Sequence, residues 1–299
     1  MAGYTDGVTV QCACPGKLNL SLSVTGRRAD GYHLIESEIV PIAICDRLRV
    51  RVSPGAARVE FDVTGREVPV GASNLASRAA ELYLRRTGWA TRVELSLVKR
   101  IPVGAGLGGG SSDAAAVLRS LDELHGSEVG MTTLLEWGVE LGADVPFFVF
   151  CAPAIASGIG DRLQALDRWP TDPLVVAQRG SGLATAAVYA QFDATLTSPQ
   201  EDSSIPAFPP PPLLSTRNDL EAAACLLEPE IDKLKHEILL HGAYDVRMSG
   251  SGSAVFGFFG DEGAAGRCAE SIMQSGGWAE STRILNGPLP IERLDERLS

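Results

Sequence analysis

A run of glycines between residues 99 and 113 constrains this chain more than any other feature. In Gly104-Ala-Gly-Leu-Gly-Gly-Gly110, five of seven residues are glycine. Because glycine has no side chain, the backbone N–H groups are unobstructed. Successive N–H groups can then converge on an anion, and a helix that follows adds the positive end of its dipole at the same point. The stretch therefore predicts a phosphate-binding loop.

A helix is predicted directly after this loop. Its apolar residues recur at spacings of three and four, which places them on one face: Ala114, Val117, Leu118, Leu121 and Leu124. Gly126 ends the pattern, and Ser111 and Ser112 fall at its start, where a serine can cap a free N–H or contact a phosphate. A glycine cluster alone is also compatible with a plain turn, but a turn seldom leads straight into an amphipathic helix.

Two familiar nucleotide loops fit this sequence poorly. Gly16-Lys17 is followed by Leu18, whereas a P-loop requires Ser or Thr at that position. Gly104, Gly106 and Gly109 satisfy the dinucleotide pattern G-x-G-x-x-G, which is weak by itself, and Pro102 interrupts the join to the preceding strand. A dinucleotide-dependent oxidoreductase is therefore the weaker alternative.

Composition narrows the class of protein. The chain has 299 residues, 45% of them hydrophobic, which suits two closely associated domains or one large one. A net charge of −11 without a dense Lys/Arg run argues against a nucleic-acid partner. The six cysteines show no C-x-x-C pair and no zinc spacing, and no stretch approaches the length of a membrane span. We expect a cytoplasmic globular protein with reduced thiols and no membrane association.

Strands and helices alternate irregularly, which predicts an α+β fold. Strands are expected at 18–24, 47–52, 58–63, 93–98 and 174–177, and helices at 74–86 and 132–141. We predict two domains, residues 1–158 and 159–299, with a proline-rich loop at about 195–216 inside the second. A proline-rich ligand for a partner protein is the alternative interpretation of that loop.

Two charged residues are candidates for chemistry on a phosphate. A kinase must position an acceptor hydroxyl, accept its proton and offset the developing negative charge. Asp144 adjoins the apolar run 145–150, and Lys17 lies between a Pro-Gly turn and a predicted strand. Singly, an exposed turn aspartate and a surface lysine are the simpler interpretations; together they make a base and its electrostatic partner.

Three separated motifs resemble those of the GHMP kinases, in the order of that superfamily. They are Pro15-Gly-Lys-Leu-Asn-Leu20, the glycine loop within 102–115, and Arg247-Met-Ser-Gly-Ser-Gly-Ser-Ala254. The resemblance implies a two-domain fold with the active site in the cleft between domains and ATP-dependent phosphorylation of a small molecule. In the family the first motif more often reads Ala-Pro-Ala-Lys, whereas this chain has Cys14-Pro15-Gly16-Lys17. The lysine is present in both.

Further motifs resemble one branch of the superfamily, over about residues 10–255. They are Thr25-Gly-Arg-Arg-Ala-Asp-Gly-Tyr-His-Leu34, Ser73-Asn-Leu75, Leu141-Gly-Ala-Asp-Val-Pro-Phe147 and Arg217-Asn-Asp-Leu220. This branch phosphorylates the 2-hydroxyl of 4-diphosphocytidyl-2-C-methyl-D-erythritol in non-mevalonate isoprenoid precursor biosynthesis. The resemblance implies ATP with Mg²⁺, the ion being held mainly by phosphates and water, and a monomer or homodimer.

The resemblance also implies residue roles. Asp144 would be the base, which also contacts the substrate, and Lys17 its partner. The ATP-binding positions would be Pro102, Gly104, Gly106, Leu107, Gly108, Gly109, Gly110, Ser111, Ser112, Asn74, Leu75 and Lys99. The remaining substrate positions would be Asn19, Tyr32, His33, Thr185 and Tyr189, with Tyr32 and Tyr189 stacking on cytosine and His33 bonding its edge. No protein metal ligand is assigned, and Asn218 is a weaker candidate that could simply cap a helix.

Two other functions stay open on sequence alone. Another kinase of the superfamily, of the mevalonate or homoserine type, would share the loop and the Asp144–Lys17 pair but lack a use for Tyr32 and His33. A nucleotide-binding regulator would have the same fold but would not catalyse phosphate transfer.

Overall fold

The computed structural model describes residues 7–66, 74–196 and 217–294. Ser73 and all of the predicted proline-rich loop except its first two residues lie outside these ranges. The strands are β1 (Val8–Asn19), β2 (Ser23–Arg27), β3 (His33–Pro54), β4 (Arg58–Gly65), β5 (Thr91–Lys99), β6 (Ala154–Gly158), β7 (Arg162–Ala165), β8 (Leu174–Gln178), β9 (Asp245–Met248), β10 (Val255–Phe258), β11 (Trp278–Thr282) and β12 (Ile291–Leu294). The helices are α1 (Leu75–Thr87), α2 (Gly109–His125), α3 (Met131–Leu141), α4 (Val145–Phe150), α5 (Thr185–Leu196), α6 (Glu221–Leu227), α7 (Glu230–Leu240) and α8 (Glu262–Gln274).

The first sheet is built around the long strand β3. The sheet runs β12-β1-β3-β5-β4, and β2 and β6 pair with the first part of β3 while β7 pairs with β6. β4 and β5 are parallel, and the other strand pairs are antiparallel. Along β5 the residues alternate between buried and less buried, as expected when one face of a sheet packs against helices.

Helices α1 to α4 form the layer that covers this sheet. Asn74 caps α1 by accepting a hydrogen bond from the Ala76 N–H at 2.9 Å, and Gly88 ends the helix in the left-handed conformation. Small and branched side chains of α2, including Ala114, Val117 and Leu121, are fully buried between the sheet and the other helices. The apolar periodicity seen in the sequence therefore records the packing face of α2.

The second sheet is antiparallel and runs β11-β8-β10-β9. Helices α5 to α8 supply the core that packs on it, with Val188, Ile231, Leu234 and Ile272 among the buried side chains. Within the described ranges, no helix is long and apolar enough to cross a membrane.

An apolar cluster joins the two sheets. It combines Leu18 and Ile42 of the first sheet with Val176 and Phe256 of the second, and Leu107 of the glycine loop packs into the same cluster. Both β7 and β12 follow residue 158 in the chain, yet they belong to the first sheet. The division at 158/159 stays a prediction.

Most predicted elements are confirmed, and two are wrong in their extent. The predicted strand 47–52 is only the last part of β3, which begins at His33. The expected strand 18–24 is interrupted, because β1 ends at Asn19 and β2 begins at Ser23. Between them the Leu20 N–H donates to the Glu38 carbonyl at 2.7 Å, and the Leu22 N–H donates to the Arg217 carbonyl at 2.8 Å. Leu20 and Leu22 are buried in different clusters, so their apolar pattern reflects burial at a junction rather than continuous strand pairing.

Candidate active site

The glycine loop adopts a conformation that side chains would obstruct. Gly104, Gly106 and Gly108 have φ angles of 68°, 75° and 69°, which L-residues with a side chain rarely adopt. A Cβ on Gly106 would lie 2.4 Å from the Ser249 carbonyl oxygen. α2 begins immediately after Gly108 without a side-chain cap, so the predicted glycine loop and helix start are both confirmed.

The third sequence motif packs directly on this loop. The Ser249 hydroxyl donates to the Gly106 carbonyl at 3.3 Å, and the Ala254 N–H donates to the Ala105 carbonyl at 3.0 Å. Asn218 holds the same motif from the other side, because its amide donates to the carbonyls of Met248 and Gly250 at 3.0 and 2.9 Å. Its own oxygen accepts from the Leu220 N–H at 3.0 Å, but α6 begins at Glu221 without a side-chain cap, so Asn218 does not cap that helix as the capping interpretation expected.

The first motif brings Lys17 to the loop. The Lys17 backbone N–H donates to the Leu107 carbonyl at 3.0 Å, and only 5% of the residue is exposed. Its ammonium donates to the side-chain oxygen of Asn19. Burial lowers the pKa of Lys17, and the negative charge of Asp144 opposes that shift.

A buried chain of hydrogen bonds orients Asn19. The Asn19 amide donates to the Ser37 hydroxyl at 2.7 Å, and that hydroxyl donates to the Ser21 carbonyl at 2.5 Å. Since a serine hydroxyl has one hydrogen, Ser37 can only accept from Asn19. The amide oxygen of Asn19 must therefore face Lys17.

Asp144 stands where α3 gives way to α4. Gly142 ends α3, and Asp144 occupies the position before Val145, where its carboxylate accepts no hydrogen bond from the N–H groups of the helix start. The half-buried side chain therefore remains available to the cleft. Burial, and secondly the charge of Asp144, raise the pKa of Tyr189 to about 12, so the same carboxylate acts electrostatically on Lys17 and on Tyr189.

Lys99 has two buried carboxylate partners. Its ammonium donates to Asp46 and, at 2.7 Å, to Asp113. Burial tends to lower the pKa of Lys99, but Asp113 and Asp46 together raise it. Asp46 also accepts from the backbone N–H groups of Arg100 and Ile101 at 2.5 and 2.9 Å, so the triad fixes the segment that enters the glycine loop.

The aromatic side chains predicted to bind cytosine are paired differently from the prediction. His33 stacks on Tyr189, with ring centroids 4.6 Å apart and planes inclined by 18°. Tyr32 is 61% exposed at the same end of the cleft. The structure thus places His33, rather than Tyr32, against the Tyr189 ring.

Two charged residues at this end were absent from the sequence predictions. Asp193 accepts from His33 at 2.8 Å and forms an ion pair with Arg27 at 3.2 Å. The signal for Asp193 was present in the sequence, because it follows Tyr189 by four residues on α5 and so lies on the same helix face. Nothing local in the sequence indicated the pairing with β2 and β3.

The predicted residues converge on one cleft of about 1020 Å³. It is lined by Lys17, Asn19, Tyr32, His33, Asn74, Leu75, Lys99, Pro102, Gly104, Gly106, Leu107, Gly108, Gly109, Gly110, Ser111, Asp144, Thr185 and Tyr189. The Thr185 and Ser251 hydroxyls lie 3.0 Å apart, which links α5 to the third motif. Ser112 lies behind the loop, 1% exposed.

The donor groups fit a metal ion held largely by phosphates. Across the described ranges, no group of three or more His, Cys, Asp or Glu residues is arranged to hold a metal ion. The Ser112 hydroxyl is buried at the start of α2 and has no protein hydrogen-bond partner. One hydroxyl at a phosphate loop suits Mg²⁺, which commonly keeps waters and phosphate oxygens as its other ligands.

Family models match both halves of the chain. Residues 74–152 match the GHMP kinases N terminal domain, and residues 213–277 match the GHMP kinases C terminal domain. The first range contains α1, the glycine loop and Asp144, and the second contains the third motif.

Solved structures show the same fold. A crystal structure of 4-(cytidine 5'-diphospho)-2C-methyl-D-erythritol kinase superimposes with a TM-score of 0.75 at 38% identity, covering 93% of this chain and 100% of that one. Homoserine kinase from Cytophaga hutchinsonii gives a TM-score of 0.64 at 17% identity, covering 98% of this chain and 99% of that one. At that identity the second likeness concerns the fold alone.

Curated relatives match over nearly their whole length. The 4-diphosphocytidyl-2-C-methyl-D-erythritol kinase of Geobacter sp. (strain M21) is 42% identical over 276 residues, 90% of this chain and 96% of the relative. That of Citrifermentans bemidjiense is 44% identical over 278 residues, with the same coverage. The chain belongs to the GHMP kinases and, among them, to the family of the 4-diphosphocytidyl-2-C-methyl-D-erythritol kinases.

Proposed function

We propose that this protein transfers the γ-phosphoryl group of ATP to the 2-hydroxyl of 4-diphosphocytidyl-2-C-methyl-D-erythritol, giving the 2-phosphate and ADP. The observation that carries the proposal is the single cleft that contains a phosphate loop, the Asp144–Lys17 pair and an aromatic subsite. The curated relatives named for this substrate support the choice of acceptor. The reaction belongs to non-mevalonate isoprenoid precursor biosynthesis.

ATP would bind at the glycine loop. The backbone N–H groups of 106–112 would hold its phosphates, because the loop lacks obstructing side chains and α2 directs its positive end there. Asn74, Leu75 and Lys99 would lie near the adenine. In this proposal residues 1–158 form the ATP-binding domain and 159–299 the substrate domain.

Asp144 would accept the proton of the 2-hydroxyl while the hydroxyl oxygen forms a bond to the γ-phosphorus of ATP. The bond from that phosphorus to the bridging oxygen breaks, and ADP leaves. Lys17 would stabilise the developing alkoxide, and Asn19 would hold the ammonium in place through the bond that Ser37 orients. The Ser112 hydroxyl would be the candidate protein ligand of Mg²⁺, whose charge would offset that of the phosphates.

The acceptor's cytosine would occupy the opposite end of the cleft. Tyr32 and the face of Tyr189 turned away from His33 would be available for stacking, and His33 would supply a polar edge. Asn19 and Thr185 would contact the methylerythritol diphosphate portion.

The deciding experiment measures ADP release by the purified protein with MgATP and each of three acceptors. 4-Diphosphocytidyl-2-C-methyl-D-erythritol should be phosphorylated, and mevalonate and homoserine should not; mass spectrometry should find one added phosphoryl group. An Asp144→Asn preparation controls for contaminating kinases. Turnover with another acceptor would refute the substrate assignment, and ATP binding without transfer to any of them would favour a regulator.

A further inference from the structure

Asp193 lies at the centre of a charged cluster at the end of the cleft that contains Tyr32, His33 and Tyr189. We call this end the base subsite. One carboxylate oxygen contacts His33 Nε2 at 2.8 Å, and the other contacts an Arg27 guanidinium nitrogen at 3.2 Å. Arg27 also donates through Nε to the Gly31 carbonyl at 3.2 Å. Asp193 therefore connects α5 to the β2–β3 hairpin that carries Tyr32 and His33.

The chemistry of this contact determines where His33 carries a hydrogen. An ionised carboxylate can only accept, so the 2.8 Å contact requires a hydrogen on Nε2. In the neutral imidazole, Nδ1 is then an acceptor. Tyr189 covers one face of the ring and Phe192 meets it edge-on, with centroids 6.2 Å apart, so the ring is held in orientation as well as in tautomer.

We propose that Asp193 is a positioning residue that sets the base specificity of the cleft, by holding His33 as the tautomer whose Nδ1 accepts a hydrogen bond from the exocyclic amino group of cytosine. The inference rests on the proposed function, because it assumes a cytidyl acceptor. Uracil has a carbonyl oxygen in place of that amino group, so two acceptors would face each other. The unsatisfied acceptor should give a preference for cytosine over uracil of roughly 5- to 150-fold.

Arg27 has a different role in the same cluster. Its side chain is more than half exposed, and it meets the carboxylate oxygen that His33 does not use. Arg27 therefore supports the placement of Asp193 without determining the His33 tautomer. Loss of Arg27 should weaken binding of cytidine and uridine nucleotides alike.

The test measures dissociation constants of CDP, UDP and ATP by calorimetry at one pH and one Mg²⁺ concentration. The proteins are the wild type, Asp193→Ala, Asp193→Asn and Arg27→Gln, each checked for folding by thermal unfolding. Wild-type protein should prefer CDP over UDP by at least about 10-fold. Asp193→Ala should lose most of that preference and bind ATP normally. Asp193→Asn should keep the preference, because its amide oxygen can accept from Nε2, and Arg27→Gln should also keep it.

Each result decides between defined alternatives. Unchanged CDP preference in Asp193→Ala overturns the inference, and so does an equal loss of CDP and UDP affinity, since that loss marks a purely structural role. Loss of preference in Asp193→Asn overturns the hydrogen-bond explanation. Wild-type protein that binds CDP and UDP equally also overturns the inference, whereas wild-type protein that binds neither nucleotide refutes the cytidyl subsite of the proposed function.

Discussion

The Ser37 hydroxyl accepts a hydrogen bond from the Asn19 side-chain amide at 2.7 Å. Ser37 is 1% exposed, so it acts on the cleft only through Asn19. Because its single hydrogen goes to the Ser21 carbonyl, it determines which end of the Asn19 amide faces Lys17. A residue outside the proposed reaction thereby orients the partner of Lys17, the lysine proposed to act in catalysis.

Ser37→Ala should lower kcat about 10-fold, since the Asn19 amide is then free to turn its nitrogen toward the Lys17 ammonium. The KM for ATP should change little. Ser37→Thr keeps the hydroxyl and is the matched control, which should retain most of the wild-type kcat. Equal kcat values for the alanine and wild-type proteins would contradict the positioning role.

Asp144→Asn should reduce kcat by at least about 10²-fold, because the amide cannot accept the proton of the acceptor hydroxyl. Steady-state kinetics gives kcat, and calorimetry should find ATP affinity within a few-fold of wild type. Near-normal turnover would exclude Asp144 as the base. A parallel loss of ATP binding would indicate that the substitution disturbs the loop rather than the proton transfer.

Gly106→Ala should weaken ATP binding by about 10-fold or more. The new Cβ would lie 2.4 Å from the Ser249 carbonyl, and the φ of 75° is itself unfavourable for alanine. Gly110→Ala is the matched control, because its nearest neighbour would be Leu75 Cδ1 at 3.9 Å. The two variants should differ in ATP affinity by about 10-fold or more, and similar affinities would refute the steric argument.

Lys17 should produce an alkaline limb in the pH profile of kcat/KM. Burial lowers its pKa, so the ammonium is lost on raising the pH before an ordinary lysine would deprotonate at about 10.4. Asn19→Ala should move the limb to lower pH, because the amide oxygen stabilises the ammonium. A profile that is flat to pH 10 in the wild type would show that Lys17 does not limit activity through its charge.

Asp113 should make the folded protein less stable as the pH rises from about 4 to 7. Burial is the main cause that raises the pKa of Asp113 from 3.8 to about 7, with Lys99 opposing the shift and Asp46 adding to it. The folded state therefore binds the proton more tightly than the unfolded state, and the free energy of unfolding falls with pH in that window. Relative to Asp113→Asn, urea unfolding should give a negative slope of at most about 1.4 kcal/mol per pH unit. A zero or positive relative slope would contradict the raised pKa.

Local sequence patterns were sufficient for helices α1 and α3. The predicted helices at 74–86 and 132–141 correspond to α1 and α3 within one residue at each end, because capping and glycine positions are local signals. The prediction of a continuous strand at 18–24 was wrong because strand pairing depends on distant residues. Whether Leu20–Leu22 pairs in a ladder depends on residues near 38 and 217, which no local pattern reports.

The sequence by itself determined the glycine loop, the start of α2 and the candidate pair Asp144 and Lys17, since glycine freedom and apolar spacing act over a few residues. Only the tertiary structure decided how side chains far apart in the chain share hydrogens and charge. It joined Ser37 to Asn19, Lys99 to Asp46 and Asp113, and His33 to Tyr189 and Asp193. The physical reason is that a buried polar group must find a partner in three dimensions, and the partner's place in the sequence is unconstrained.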